Sequence, residues 1–112
     1  GLYLCHCSRC RKTSGSSNAA NAFTKQGKLS WLSGTENQKS FNLAGIRFTR
    51  NFCLNCGSPL PYEMGSNGAV VIPAGSLDSD IKITPTAHLF YASRANWDQD
   101  LDSIEKRENF EK

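Results

Sequence analysis

Five cysteines fall in two tight knots, Cys5-His6-Cys7-Ser8-Arg9-Cys10 and Cys53-Leu54-Asn55-Cys56-Gly57, and the chain has no others. Three thiols within six residues are too close to anchor separate disulfides, and an odd total argues against a disulfide framework. They can, however, converge on one soft metal ion. The second knot is a CxxC followed by glycine, the shape of a zinc knuckle. Zinc suits such thiolates, which bind it tetrahedrally at about 2.3 Å without redox chemistry. Cys7-Ser8-Arg9-Cys10 and Cys53-Leu54-Asn55-Cys56 form a CxxC…CxxC pair separated by 42 residues. Taken alone, that is a four-thiolate pattern with Cys5 left over. Cys5 then either joins a three-thiolate site or stands nearby as a reactive thiol. An iron–sulfur cluster is disfavoured, because the spacing matches neither common ferredoxin run.

The 112 residues make one domain, 1–112, with a modest core, so a metal cross-link would matter to its stability. No apolar run approaches the roughly 20 residues that span a bilayer. Gly1-Leu2-Tyr3-Leu4 runs straight into the first cysteine and does not read as a secretion signal. With unpaired cysteines, this predicts a reduced, cytoplasmic protein without a membrane partner. The net charge of +3 is unevenly placed. Residues 1–56 carry eight Lys and Arg (Arg9, Arg11, Lys12, Lys25, Lys28, Lys39, Arg47, Arg50) against Glu36 alone, whereas residues 57–112 carry five basic and nine acidic side chains. Cations near thiolates lower thiol pKa values and attract anionic ligands. For an isolated lysine a solvated face is the simpler reading. Arg9, Arg11 and Lys12 interleave with the first knot and are the stronger functional candidates.

Short alternating segments separated by Gly-rich turns predict a mostly β, antiparallel domain with minimal helix. The expected strands are 22–24, 29–32, 40–43, 46–52, 60–64, 69–73 and 88–92, with Gly65-Ser66-Asn67-Gly68 as a turn. Ser8 is expected to cap one helical turn over Arg9–Ser14 that stops at Gly15. Residues 103–108 are polar with some helical character. His6, flanked by cysteines, is expected behind the ligands or on the surface rather than as a ligand itself. His88 is expected as a hydrogen-bonded core histidine, and Trp31 and Trp97 as core or rim aromatics. No Ser/His/Asp order, carboxylate pair, phosphate-cradling loop or general base stands out.

The run Cys5-His6-Cys7-Ser8-Arg9-Cys10-Arg11-Lys12-Thr13-Ser14-Gly15-Ser16 resembles the signature of the glutathione-dependent formaldehyde-activating enzyme family, which includes centromere protein V. Trp31-Leu32-Ser33-Gly34, Phe52-Cys53-Leu54-Asn55-Cys56-Gly57, Ala74-Gly75-Ser76-Leu77-Asp78, His88-Leu89-Phe90-Tyr91-Ala92-Ser93 and Trp97-Asp98 agree in order. The resemblance implies a β-tent fold, two zinc sites, and condensation of formaldehyde with glutathione to S-hydroxymethylglutathione, a carbon–sulfur lyase chemistry. It also implies that Cys5, Cys7 and Cys10 form the chemical, three-thiolate zinc site and that Cys53 and Cys56 are half of a structural one. The family's other half is a Cys-x-Cys on earlier strands, and nothing before Gly1 supplies it. The expectation is therefore an N-terminally incomplete domain, or a rebuilt site in which first-knot cysteines join Cys53 and Cys56. One or two zinc ions are both compatible with this.

Two functions follow. In the first, a zinc-dependent enzyme takes a small-molecule thiol, with glutathione as co-substrate, and Arg9, Arg11, Lys12 and Arg50 hold its carboxylates. In the second, a closed zinc site stabilises a non-catalytic binding module for a protein partner. Nucleic acid is disfavoured by the low net charge and the lack of a basic–aromatic stacking pattern. A sheet edge left by absent strands would suit pairing into a homodimer.

Overall fold

A computed structural model describes residues 1–46, 48–65 and 68–111. Arg47, in the expected strand 46–52, and Ser66 and Asn67, in the expected turn 65–68, lie outside the described residues. The elements run β1 (Leu2–Cys5), α1 (Ser8–Ser14), β2 (Ala19–Thr24), β3 (Gln38–Asn42), β4 (Thr49–Cys53), β5 (Pro59–Leu60), β6 (Tyr62–Met64), β7 (Ala69–Pro73) and β8 (Ala87–Leu89), with short 3₁₀ turns between. They build two sheets, one of five strands in the order β6-β7-β2-β1-β8 and one of three in the order β3-β4-β5. All pairings are antiparallel except β1 with β8. The domain is mostly β, as expected. No helix among the described residues is long and apolar enough to cross a membrane.

The five-stranded sheet holds the core. Val70 and Val71 are consecutive in β7 and both buried, so β7 is covered on its two faces, as its continuous apolar run requires. Leu2 faces Ala22 across β1 and β2, and both are buried. Ala95, from the irregular C-terminal segment, is buried too. The three-stranded sheet is different. Its buried residue is polar: the Asn51 amide donates to Gln38 Oε1 at 2.9 Å and to the Pro61 carbonyl at 3.0 Å, which satisfies a group that would otherwise be costly to bury. Phe41, on the neighbouring β3, stays half exposed.

Several expected elements change. Residues 29–32 form no strand; Leu32 is 97 % exposed and no neighbouring strand pairs with them. The expected strand 60–64 breaks at Pro61, which has no N–H for a ladder, so β5 and β6 enter different sheets. The expected strand 88–92 ends at Leu89, because Phe90 adopts a left-handed φ of 52° and turns the chain. Residues 104–108 are not helical, and Ser103 only closes a 3₁₀ turn, Leu101–Ser103; the segment lacks an apolar face to bury. Conversely, Leu2–Cys5 is a strand that the sequence analysis did not anticipate.

Candidate metal centre

The first knot straddles a strand end and a helix start. β1 delivers Cys5, His6 turns the chain, and Cys7 occupies the N-cap in an extended conformation (φ −63°, ψ 158°). The cap is Cys7 and not the expected Ser8: the Cys10 backbone N–H donates to Cys7 Sγ at 3.4 Å. A side chain that accepts from the third residue of the helix must itself belong to the N-cap, so the first hydroxyl of the helix comes one position too late. Gly15 ends the helix at φ 63°, and its N–H donates to the Arg11 carbonyl at 2.8 Å. One turn separates Cys7 from Cys10, and the strand end brings Cys5 alongside. The three Sγ atoms lie within 4.8 Å of one another. Sulfurs sharing a tetrahedral zinc stand about 3.8 Å apart, given a bond of about 2.3 Å, so a small contraction would seat an ion.

The electrostatics of the three thiols are uneven. Burial would push Cys7 up, but hydrogen bonds from the Cys10 backbone and from the Cys10 and Cys5 thiols outweigh it and leave Cys7 below an ordinary thiol. Cys10 is pushed well above its ordinary value by burial, then by its hydrogen bonds and charge repulsion with Cys5 and Cys7. Crowded thiols of this kind resist joint ionisation unless a cation joins them. Burial also raises the Tyr62 hydroxyl, with a smaller contribution from the charge of Cys10. Tyr62 lines an open groove of about 310 Å³ with Trp31, Asn51 and Pro61.

The second knot is a pair rather than a cluster. β4 ends at Cys53, whose N–H donates to the Ser58 carbonyl at 2.9 Å, while Gly57 at φ 76° returns its N–H to the Cys53 carbonyl at 2.7 Å. The exposed Cys56 thiol lies 3.2 Å from the Ser58 hydroxyl, and hydrogen bonds from the Ser58 side chain and backbone lower its pKa. Among the described residues, Cys53 and Cys56 gather no third metal-ligating group, and all five cysteines are free thiols. The four-thiolate arrangement of Cys7, Cys10, Cys53 and Cys56 is therefore not formed, nor is a rebuilt site in which Cys5 joins Cys53 and Cys56. The two pairs leave from different sheets, and the thiol nearest to Cys7 and Cys10 is Cys5.

The four expected carboxylate-holding cations separate. Arg9 and Lys12 are exposed on α1. Arg11 is half-buried, and its Nε is shielded from solvent without a hydrogen-bond partner. Arg50 is committed to backbone: Nη1 donates to the Thr13 carbonyl at 2.8 Å and Nη2 to the Gly57 carbonyl at 3.2 Å, so one guanidinium ties the end of α1 to the knuckle turn.

One residue inside the first knot, His6, is linked to His88 and Asp98. The His6 ring is buried, 1 % exposed, with Nε2 2.8 Å from His88 Nδ1 and Nδ1 3.2 Å from Asp98 Oδ2. The second contact is an ion-pair approach; neither His6 Nδ1 nor Asp98 Oδ2 has a well-formed hydrogen bond to any group. His6 is thus buried and not on the surface, whereas His88 is exposed and not a core residue. His88 still has the expected hydrogen bond, which at a sheet edge is made sideways to His6. Tyr62 belongs to no spaced motif of ligands, and Asp98 enters the sequence analysis only beside Trp97 in the family resemblance, with no role at the site.

The family model for the glutathione-dependent formaldehyde-activating enzyme matches residues 1–93. The chain belongs to this family. Its match encloses both knots, Arg50 and His88, and ends before Asp98. Membership in the glutathione-dependent formaldehyde-activating family connects the chain with glutathione and formaldehyde, and its Cys5-Cys7-Cys10 group could hold a metal ion. No curated protein matches the chain.

Proposed function

We propose that the protein is a zinc-dependent carbon–sulfur lyase that joins formaldehyde to glutathione, giving S-hydroxymethylglutathione. The observation that carries this is the convergence of Cys5, Cys7 and Cys10, three thiols and not four, in a chain of this family. Three protein ligands leave one tetrahedral position open, the hallmark of a chemical rather than a structural zinc site. Zinc held there supplies a Lewis acid that favours the ionised form of a thiol at the open position. Cys5, Cys7 and Cys10 are the holding groups. Arg9 and Lys12 make the rim cationic and are the exposed cations available to a carboxylate of glutathione. Arg50 serves by holding α1 against the knuckle, since its donors already reach two carbonyls. In the reaction the glutathione sulfur attacks the formaldehyde carbon. A carbon–sulfur bond forms, the carbonyl π pair moves to oxygen, and solvent supplies the proton that completes the hydroxymethyl group.

The binding-module alternative draws its weight from a closed four-thiolate site, which the described thiols do not form. Free thiols able to hold zinc persist in a reducing compartment, which supports a cytoplasmic location. The test is NMR exchange between formaldehyde and glutathione with and without zinc-loaded protein, alongside metal counting by mass spectrometry. A faster exchange, abolished in Cys5→Ser, is the expected result. An unchanged rate with the zinc-loaded protein would sink the enzyme reading.

A further inference from the structure

His6 lies between two of the three thiols, and its position is fixed from four sides. Its backbone N–H donates to the Leu89 carbonyl at 2.9 Å. Its ring meets His88 through Nε2 and Asp98 through Nδ1. Tyr91 packs edge-on against it, with ring centroids 5.3 Å apart, and also lies 5.0 Å from the His88 ring. Tyr91 reaches this place because Phe90, just before it, takes a left-handed φ of 52°, a conformation disfavoured for a bulky residue. The Phe90 side chain is 67 % exposed, so its own packing does not account for the turn. The turn instead throws Tyr91, and after it Asp98, across His6. Strain that the surroundings impose in this way concentrates where geometry serves a site.

We infer that His6 and Asp98 are positioning residues for the Cys5-Cys7-Cys10 site, an inference that rests on reading the three thiols as a metal site. The polarity of these contacts runs inward from the 3.2 Å ion-pair approach of Asp98 to His6. An aspartate accepts only, so the nitrogen facing it, His6 Nδ1, carries the proton. His6 Nε2 then accepts, and the His88 Nδ1–H donates to it. His88 Nε2 is then left without a proton. One carboxylate thereby selects the tautomer of both rings. Because the peptide units on either side of His6 carry Cys5 and Cys7, a locked His6 ring fixes the directions of both thiols before an ion arrives. The arrangement resembles in logic the outer partners that orient metal ligands and whose loss costs about 10- to 100-fold in metal affinity, although His6 is not itself a ligand. Asp98 lies past the family match, on the segment that also buries Ala95, so the C-terminal tail has a task at the site.

The experiment is zinc affinity by chelator competition on wild type, Asp98→Ala, Asp98→Asn, His6→Gln and Cys5→Ser, with Val71→Ala as a control that loosens the core without touching His6. The zinc equivalent lost in Cys5→Ser identifies the three-thiol site. We expect its affinity to fall 10- to 100-fold in Asp98→Ala and His6→Gln, and less in Asp98→Asn, which retains an acceptor oxygen. Val71→Ala should leave it within twofold. A ¹⁵N–¹H correlation spectrum of the histidine rings should show His6 protonated on Nδ1 in wild type, with the tautomers mixed in Asp98→Ala. An affinity loss in Asp98→Ala no larger than in Val71→Ala, or a wild-type His6 protonated on Nε2, overturns the positioning role alone. If no zinc equivalent depends on Cys5, the metal reading of the three thiols falls, and the positioning role falls with it.

Discussion

The two cysteine knots end in the same kind of turn yet differ in almost everything that surrounds them. Each closes on a left-handed glycine, Gly15 or Gly57. The first knot grows from the sheet that owns the apolar core and is backed by a buried histidine; the second grows from the sheet whose buried residue is Asn51 and ends in an exposed thiol. The first gathers three sulfurs, the second two. Shared turn chemistry therefore does not make equivalent sites. What separates them is how many ligands the backbone brings together and how firmly the ground beneath them is packed.

The sharpest way to break this comparison is to remove one thiol from each knot. Cys5→Ser should keep the fold while formaldehyde–glutathione exchange by NMR falls at least 100-fold. Cys53→Ala should leave that exchange within twofold and act on the melting temperature instead, because it removes a half-buried side chain at the end of β4, where the knuckle turn is anchored. Equal thermal losses from both would erase the division of roles. Next in size is Arg50→Ala. Its two charge-assisted hydrogen bonds, one to the end of α1 and one to the knuckle turn, would ordinarily be worth about 1.5–3 kcal/mol apiece. Partial exposure reduces that, so urea unfolding should show a total loss of about 2–3 kcal/mol, with Arg50→Lys recovering no more than half. The unequal ground comes third: Val71→Ala should cost about 2 kcal/mol from two lost methyl groups and the cavity they leave. Phe41→Ala, on the exposed sheet, should cost well under half of that in the same measurement. The smallest effects test the likeness. Gly15→Ala and Gly57→Ala meet no atom within 4 Å, so each should cost only the left-handed backbone, about 1 kcal/mol. A much larger loss at one of them would show that the turns are not alike after all.

Much of the first knot was legible because its chemistry is local. Cysteine spacing, a polar turn of helix and a terminating glycine are all written within eleven residues, from Cys5 to Gly15. β7 was equally plain, since Ala69-Val70-Val71-Ile72-Pro73 has no other use than burial on both faces. The cap was misassigned because serine is the commoner capping residue, and a thiol one position earlier does the same work when it must also face a metal-sized gap. Residues 29–32 have apolar side chains but no partner strand, which no local pattern reveals. The His6–His88 bond joins residues 82 apart, and Asp98 comes from farther still. Such a contact exists only once β8 has paired with β1, so pairing, and not composition, creates it.

Asn51 has a consequence that reaches past its own burial. Hydrophobic alternation decides which way a strand faces only where one face is worth hiding, and the three-stranded sheet hides little. A slip of one residue along β4 would turn the Asn51 amide to the opposite face and leave Gln38 and the Pro61 carbonyl unmatched. The alignment of that sheet, and with it the place where Cys53 emerges, is thus keyed by one amide acting as a lock between two neighbours. The knuckle owes its address to polar recognition, in a domain whose other half is addressed by oil and water.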